Sequence, residues 1–410
     1  MAKILVLHTH DTHLGGHGWS IYKRLENLGH KVCFVSLFRR NKGTENSFYS
    51  LMSFWGASYY YLTFYLRDLF VKKVLLRPDA RYAFVSSYLW GKSAKSILQK
   101  CTFQPDYIVI TWVPGFITPK TVRDLYNITG AKIVFDMVDQ ALLSLCHYHK
   151  ECYEYKNGCK RCPHVKGLKF LPRYNMEQKT KWWNNMPADI VCTTYDKNHA
   201  MQVPFLKKMN YFISITVPSC GNVYSKKEAR KFFNICEDDF VIFLGSNNAA
   251  NPDKGYPYVV DSINRMIAKI NDSKKKTTLL ILGHNALTLK LNLDQSVNVV
   301  RRDFLPYEHF FKAYYACDVH ASATLYDSGP MMVNYSLACG RPVVSFPVGV
   351  ALDLIEDGRT GFIVPYKDTS SFAEALYKLY NCSDKEFDEI SRNCVDKMDS
   401  YRGKDYWTQL

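Results

Sequence analysis

The sequence contains no run of the ~18–20 apolar residues that a membrane-spanning helix requires. The nearest approach, Leu51 to Leu66, is interrupted by Ser, Thr and four Tyr and is followed at once by Arg67-Asp68. No secretory leader is expected either. Met1-Ala2-Lys3-Ile4-Leu5-Val6-Leu7 has neither a charged n-region nor a small-residue cleavage pattern, and is expected to be a first strand. On that reading the 13 Cys are expected to be mostly reduced thiols in a cytoplasmic chain. Acidic residues are scarce in one half only. Residues 1–215 carry 30 Lys and Arg against 14 Asp and Glu, a net of +16, whereas the remainder carries 23 against 24. A basic amino-terminal half suits contact with anionic lipid, phosphate-bearing substrate or nucleic acid, or is simply a well-solvated surface.

What is present is globular. A hydrophobic fraction of 47% with 22% charged residues excludes a fully disordered or fibrous chain. At ~150 residues per domain, the 410 residues imply two or three domains. Strand-like apolar runs alternate with helix-like segments almost throughout. Lys3–His8, Lys31–Leu37, Tyr107–Thr111, Lys132–Phe135, Ile190–Thr194 and Phe212–Pro218 read as strands of a first half. The pattern restarts with Phe240–Gly245, Thr277–Gly283, Val297–Val300, Asp318–Ala321 and Pro342–Phe346, with helices over Tyr256–Ile270 and Tyr307–Ala316. This alternation predicts an α/β chain of two doubly wound, Rossmann-like domains, residues 1–217 and 218–382, with a ligand cleft at the carboxyl ends of the strands. Residues 383–410 are expected to form a helical tail that packs back on the first domain. Within that domain Phe48–Arg81 is aromatic at one end and basic at the other. It reads either as an amphipathic segment lying on an anionic membrane or as a buried helical pair.

The strongest chemical signal is Asp327-Ser328-Gly329-Pro330-Met331-Met332-Val333-Asn334-Tyr335-Ser336-Leu337-Ala338-Cys339-Gly340-Arg341-Pro342-Val343-Val344. A carboxylate follows a strand, a Ser-Gly-Pro turn comes next, and a helix opens with proline in its first turn. The unbonded N–H groups of such a helix start form an anion site for phosphate. Asp327 is placed to hold hydroxyls of whatever the phosphate carries, and Gly340-Arg341-Pro342 ends the helix.

This stretch resembles the donor-site motif of the retaining GT-B glycosyltransferases of family four, in which two acidic residues eight apart precede an Ala-Cys-Gly-x-Pro-Val turn. Gly349-Val350-Ala351-Leu352-Asp353-Leu354-Ile355, Asp357 to Val364, Gly245 with Lys254-Gly255-Tyr256, and Gly15-Gly16 fit the same family. The resemblance implies a GT-B fold and transfer of a sugar from a nucleoside diphosphate, UDP- or GDP-linked, to a saccharide or lipid-linked acceptor. It implies that Asp327 holds the donor sugar, Lys254 neutralises the diphosphate, and amides of Ser328, Gly329, Pro330, Met331 and Met332 surround the phosphate (Pro330 through its fixed turn). Gly15 and Gly16 would close on the same diphosphate. Asp136 is the candidate acceptor-side carboxylate, and His284 a candidate nucleotide contact or a satisfied loop histidine. Three positions depart from the family pattern. Tyr335 replaces the second acid, leaving a phenol to hydrogen-bond the nucleotide. Ser246-Asn247-Asn248 replaces a basic residue before Lys254, with Ser246 and Asn247 as its candidate contacts. Phe135-Asp136 stands where His-Asp is frequent. No Asp-x-Asp motif stands at a strand end, so no catalytic metal is expected.

A second signal is Cys146-His147-Tyr148-His149, Cys152 and Cys159-Lys160-Arg161-Cys162-Pro163-His164. Cys-x2-Cys with two further Cys nearby has the spacing of a structural zinc site, with one of the three His able to replace a Cys. It also resembles a cysteine-rich insert in a branch of family four of the colanic-acid or surface-polysaccharide type. Two disulfides or free thiols are the alternatives. The readings that rival an enzyme are a non-catalytic GT-B subunit and a zinc-containing nucleic-acid-binding protein. The family reading implies a peripheral contact with anionic membrane and no nucleic-acid partner.

Overall fold

The computed structural model describes residues 1–10, 17–38, 48–50, 62, 66, 69–70, 73–74, 76–77, 91–149, 151–270 and 275–410. The Gly15-Gly16 loop and most of the 48–81 segment lie outside the described residues. The chain forms two compact units. One comprises Met1–Cys192, Asp196–Ser214 and Tyr406–Leu410, the other Thr193–Tyr195 and Ile215–Asp405.

The first unit is built on β1 (Lys3–His10), β2 (Lys31–Phe38), β3 (Phe48–Ser50), β4 (Tyr107–Ile110), β5 (Lys132–Asp136), β6 (Ala188–Cys192) and β7 (Asn210–Ile213). They form one parallel sheet in the order β3-β2-β1-β4-β5-β6-β7. Its central strands are continuous apolar runs because both faces are covered: Ile4 to Leu7, Ile108 to Ile110 and Ile133 to Phe135 are all buried. The covering helices carry their own stop signals. Pro119–Thr129, for example, starts with a Thr118 capping box and ends on Gly130 in the left-handed region.

The second unit is a six-stranded parallel sheet in the order β10-β9-β8-β11-β12-β13. Its strands are β8 (Phe240–Asn248), β9 (Thr277–His284), β10 (Asn298–Arg302), β11 (Val319–Ser322), β12 (Val343–Ser345) and β13 (Gly361–Ile363). Each unit is therefore doubly wound, as the alternation predicts. In each, the strand order reverses once, between β1 and β4 and between β8 and β11. The connecting loops diverge there, opening a crevice at the carboxyl ends of the strands.

Three expectations need correction. The last strand of the first unit is Asn210–Ile213, ahead of the Phe212–Pro218 expected, because Asn210 to Ile213 take the register opposite Asp189 to Cys192. The helix expected over Tyr307–Ala316 is two short helices, Tyr307–Phe310 and Lys312–Ala316. The tail 383–410 divides. Its helix Asp384–Asp399 belongs to the second unit, where it buries Ile390, Cys394 and Met398 and Lys397 pairs with Glu356 at 2.7 Å. Only Tyr406–Leu410 belongs to the first unit, where Tyr406 and Trp407 cover Val6, Val134 and Val191 and the Tyr406 hydroxyl donates to Asp189 at 2.7 Å.

The second unit is held at the opposite end from its loops by a buried ion network. Arg230 is fully buried and donates to the carbonyls of Ala316 and Asp239 and, through Nη2, to Asp318 Oδ2 at 2.7 Å. The same Asp318 oxygen accepts from the Val241 amide at 2.7 Å, and Lys226 reaches Oδ1 at 2.7 Å. This carboxylate ties the helix Lys226–Phe233 to the starts of β8 and β11. Removing Arg230 takes away the buried guanidinium and leaves the Asp318 carboxylate only the Val241 amide and Lys226, whose side chain is 45% exposed. Arg230→Ala is therefore expected to cost about 3–5 kcal/mol of stability, read from urea unfolding; a loss below about 1 kcal/mol would show that the network does not carry this end of the unit.

Candidate active site

At the crevice of the second unit, β8 and β11 deliver two loops to one place. The β8 ladder breaks register between Gly245 and Asn248, leaving Ser246 buried and Asn247 exposed. A 3₁₀ turn over Pro252–Lys254 follows, with the Asn251 side chain capping it and Gly255 in the left-handed region at φ +67°. Gly255 is required by space as well as by angle, since a Cβ there would lie 1.9 Å from the Ala323 carbonyl oxygen. That close approach, and the Leu325 amide donating to Asp253 O at 2.8 Å, fasten the turn to the loop after β11. The outcome is a partly buried ion pair. Lys254 Nζ donates to Asp327 Oδ2 at 2.7 Å, and Asp327 Oδ1 accepts from the Gly329 amide at 3.1 Å.

The helix Met331–Ala338 opens directly beside this pair. Pro330 occupies its N-cap and no side chain caps it, so its first amides and the positive end of its dipole keep their capacity for an anion. Met332 packs against the other loop: a Cβ on Gly245 would fall 2.0 Å from Met332 Cε, and the Tyr314 hydroxyl bonds Met332 Sδ at 3.1 Å. The structure thus brings Gly245, Lys254, Asp327, Gly329, Pro330 and Met332 together. Ser328 is buried and Met331 half-buried in the same turn.

The other candidates have structural employment. Ser246 accepts from the Tyr256 hydroxyl at 3.0 Å, and burial, opposed by this bond, pushes Tyr256 up to about 12. Tyr335 packs its ring on Phe310, Phe311 and Tyr314, and burial raises its phenol. His284 lies exposed at the end of β9, stacked on Phe304 with ring centroids 5.1 Å apart and 3.3 Å from Asp303.

The crevice of the first unit holds the expected Asp136 together with partners that the sequence reading did not assign to it. Asp136, at the end of β5, pairs with His17 at the start of the helix after β1. Packing around the His17 ring opposes its protonation, but the charge of Asp136 and the hydrogen bond outweigh this and raise the imidazole above its ordinary value. A second pair follows, His147 Nδ1 donating to Asp139 at 2.5 Å, and the His147 ring lies parallel to Trp112, at the end of β4, at 6.2 Å and 4°. Trp112 is half-buried. A flat ring bordered by carboxylates is suited to a saccharide, apolar face to ring and hydroxyls to Asp. The only sequence signal for His17 was its place just after Gly15-Gly16.

The cysteine-rich loop follows β5. Cys146, Cys152, Cys159 and Cys162 are all free thiols. Burial raises each of them, and Cys146, Cys159 and Cys162 are raised further by the other thiols, Cys152 among them. Backbone amides of His164 and Val165 bond the Cys162 sulfur, and that of Glu154 bonds Cys152. The loop is anchored by Lys179, whose buried ammonium donates to the carbonyls of Ala141 and Ser144 at 2.5 Å and Leu142 at 3.2 Å. Burial pulls this lysine down to about 7. Among the described residues, no three His, Cys, Asp or Glu side chains are already drawn together as metal ligands.

Residues 238–382 match the sequence pattern of the family described as glycosyl transferases group 1. The matched segment contains the Lys254–Asp327 pair and the helix after it. No curated protein matches the chain in sequence. Several solved structures share its fold at low identity. Sucrose-phosphate synthase from Thermosynechococcus elongatus superposes with a TM-score of 0.60 at 12% identity, covering 98% of this chain and 95% of that one. HepE of Anabaena, in complex with UDP-glucose, gives 0.58 at 13%, covering 100% and 98%. WaaG, a glycosyltransferase involved in lipopolysaccharide biosynthesis, gives 0.57 at 12%, covering 97% and 95%. The architecture is the GT-B fold.

The His17–Asp136 pair has a measurable pH signature. A histidine raised by a carboxylate stabilises the fold fully below its unfolded value of about 6.5, and the contribution fades as pH rises through the folded value. The His17 side chain is 46% exposed, so the effect on stability is expected to be small. An NMR titration is expected to place the imidazole above 6.5, and Asp136→Asn to bring it down. An unchanged titration in the variant would remove Asp136 as the cause.

Proposed function

We propose that the chain is a glycosyltransferase that moves a sugar from a UDP- or GDP-linked donor to a saccharide or lipid-linked acceptor, with retention of configuration, in surface-polysaccharide assembly. The observation that carries this reading is the Lys254–Asp327 pair beside an uncapped helix start. In the free protein each charge compensates the other. A diphosphate would draw the Lys254 ammonium to itself, together with the N–H groups of Met331 and Met332, and leave the Asp327 carboxylate for hydroxyls of the donor sugar. As the bond between sugar and diphosphate breaks, negative charge grows on the leaving oxygen and positive charge on the sugar ring. Lys254 and the helix dipole stabilise the first of these most strongly in the transition state. The departing phosphate oxygen then takes the proton of the acceptor hydroxyl as that hydroxyl attacks the same face.

Acceptor binding is assigned to the crevice of the first unit, with Trp112 and His147 as its stacking wall and Asp136 and Asp139 as hydroxyl acceptors. The nucleotide-sugar reading is supported by the glycosyl transferases group 1 match and by the UDP-glucose in HepE. The polysaccharide reading is supported by the likeness to WaaG, a glycosyltransferase involved in lipopolysaccharide biosynthesis. The free thiols support a cytoplasmic setting. Incubation with UDP- and GDP-sugars is expected to release one nucleoside diphosphate, and NMR to show a product with the donor's anomeric configuration. Asp327→Asn is expected to lower kcat/KM by about 10²-fold or more. Inversion would refute the proposed mechanism. Binding of a diphosphate without turnover of any donor would instead assign the chain as a non-catalytic GT-B subunit.

The cysteine loop is assigned a structural zinc ion held by Cys146, Cys152, Cys159 and Cys162. The donor chemistry fits: four soft sulfur ligands within electrostatic reach of one another, two of them already receiving backbone N–H bonds that favour thiolate. The Lys179 ammonium would offset part of the negative charge of a four-thiolate site. With four protein ligands the ion has no open position and takes no part in transfer. The purified chain is expected to carry one zinc per molecule and to lose thermal stability with a chelator, while Cys159→Ser/Cys162→Ser loses the metal. Metal-free protein whose stability is indifferent to zinc would reject this assignment.

A further inference from the structure

All 13 cysteines are free thiols, and two that lie outside the cysteine-rich loop meet in the first unit. Cys33 stands early in β2, opposite Leu5 of β1, and is 2% exposed in the apolar core of that unit. Cys101 follows the short helix Ala94–Leu98 and is half-buried, packed against the same core. The turn that carries it is fixed by its own backbone. The amides of Lys100 and Cys101 donate to the carbonyls of Ile97 and Leu98, each at 3.0 Å. Cys33 Sγ lies 3.8 Å from the Lys100 carbonyl oxygen, which brings the buried thiol onto this turn. The two thiols are hydrogen-bonded to each other.

A thiol buried alone in a core is inert packing. Cys101 differs, because its surroundings favour the thiolate. The Cys33 thiol donates to its sulfur, the Phe103 amide donates as well, and the charge of Lys31 is near. Against burial, these hold Cys101 below the ordinary thiol value, the hydrogen bond from Cys33 contributing most. Lys31 is exposed, with Nζ 5.1 Å from the centre of the Phe103 ring, so the cation stays over the same turn. When protonated, the Cys101 thiol has an acceptor in the Phe103 carbonyl at 3.1 Å. Cys33 keeps its proton instead. Its hydrogen bond to Cys101, its burial and the neighbouring sulfur's charge all raise it.

The two sulfurs therefore have different characters. One reaches solvent and carries thiolate character; the other is buried, protonated and adjacent. This is the arrangement of an oxidisable dithiol, with one sulfur to attack and one to resolve.

We infer that Cys33 and Cys101 form a site of reversible oxidation, which takes a hydroperoxide as oxidant and closes as a disulfide. The Cys101 thiolate attacks one oxygen of hydrogen peroxide; the O–O bond breaks, an S–O bond forms and hydroxide leaves. The Cys33 sulfur then attacks the Cys101 sulfenic acid. An S–S bond forms, the S–O bond breaks, and the departing hydroxide takes the Cys33 proton to give water. The first hydroxide recovers from solvent the proton that Cys101 had released. Two thiols and one peroxide thus become one disulfide and two waters, and a dithiol reductant reverses the change by exchange. The crosslink would tie β2 to the turn before β4, with β3 inside the loop so closed. A transient disulfide of this kind suits a reducing compartment. The inference is independent of sugar transfer.

The full chain, reduced and then freed of reductant, is to be treated with a few equivalents of hydrogen peroxide. Its remaining thiols are blocked and its digest is mapped by mass spectrometry without reduction. A linked pair of peptides carrying Cys33 and Cys101 is expected, returned to free thiols by dithiothreitol. Alkylation of Cys101 followed against pH is expected to show a midpoint below the ordinary thiol value of about 8.5. Cys33→Ala is expected to move that midpoint up by about one unit or more. The peptide map needs no variant, so it decides the matter even if Cys33→Ala folds poorly. Peroxide treatment that leaves Cys33 and Cys101 unlinked would overturn the inference. So would linkage confined to the other hydrogen-bonded thiols, Cys220 and Cys339, or to the cysteine-rich loop. A Cys101 midpoint that Cys33→Ala leaves unchanged would also overturn it.

Discussion

The ion pair between Lys254 and Asp327 joins two residues 73 apart in sequence, and much of the second unit's design serves to make that meeting possible. A parallel sheet sends every strand's end to the same edge, and the reversal between β8 and β11 opens the loops there. Gly255 allows the Lys254 turn to reach the Ala323 carbonyl, and the Leu325 amide fixes the turn in place. Buried anchorage at the opposite end, through Asp318 and Arg230, keeps β8 and β11 side by side. What results is a cation and an anion stored against each other next to an uncapped helix. Such a pair is organised for a ligand with its own negative charge and its own hydroxyls, because that ligand replaces each partner in turn.

The first unit follows the same topology with different chemistry. Where the second unit stores a lysine and an aspartate, the first presents two His–Asp pairs and an indole at the ends of β1, β4 and β5. These groups can stack and hydrogen-bond as well as pair with charge. The excess positive charge of this half is not concentrated on them. Part of it lies instead at the exposed Lys166, Lys169 and Arg173.

Much of this was legible in the sequence, for physical reasons that differ by element. Strands buried on both faces are continuous apolar runs, so Ile4 to Leu7 and Phe240 to Leu244 were readable without any partner. Asp327, Gly329 and Pro330 were readable because a carboxylate, a turn and a helix start must follow one another locally. His17 was not, since its meaning comes from Asp136, 119 residues away, through strand order. Trp112 was hidden likewise, as was the pairing of His147 with Asp139. The tail misled because its helix is amphipathic, a property that says a face is buried without saying against what. Tyr335 was only half legible: its phenol suggested a polar role, and the sequence did not show that its ring packs in an aromatic cluster with Phe310, Phe311 and Tyr314.

The central claim is that Lys254 is held in reserve for a diphosphate. Isothermal calorimetry of UDP, GDP and ADP against the full chain, with Lys254→Ala measured alongside, addresses it without requiring the acceptor. The account expects one diphosphate to bind and the substitution to weaken that binding by about a hundredfold, the loss of a charge-assisted contact or two. Diphosphate affinity equal in the two proteins, or binding of none of the three, would contradict it.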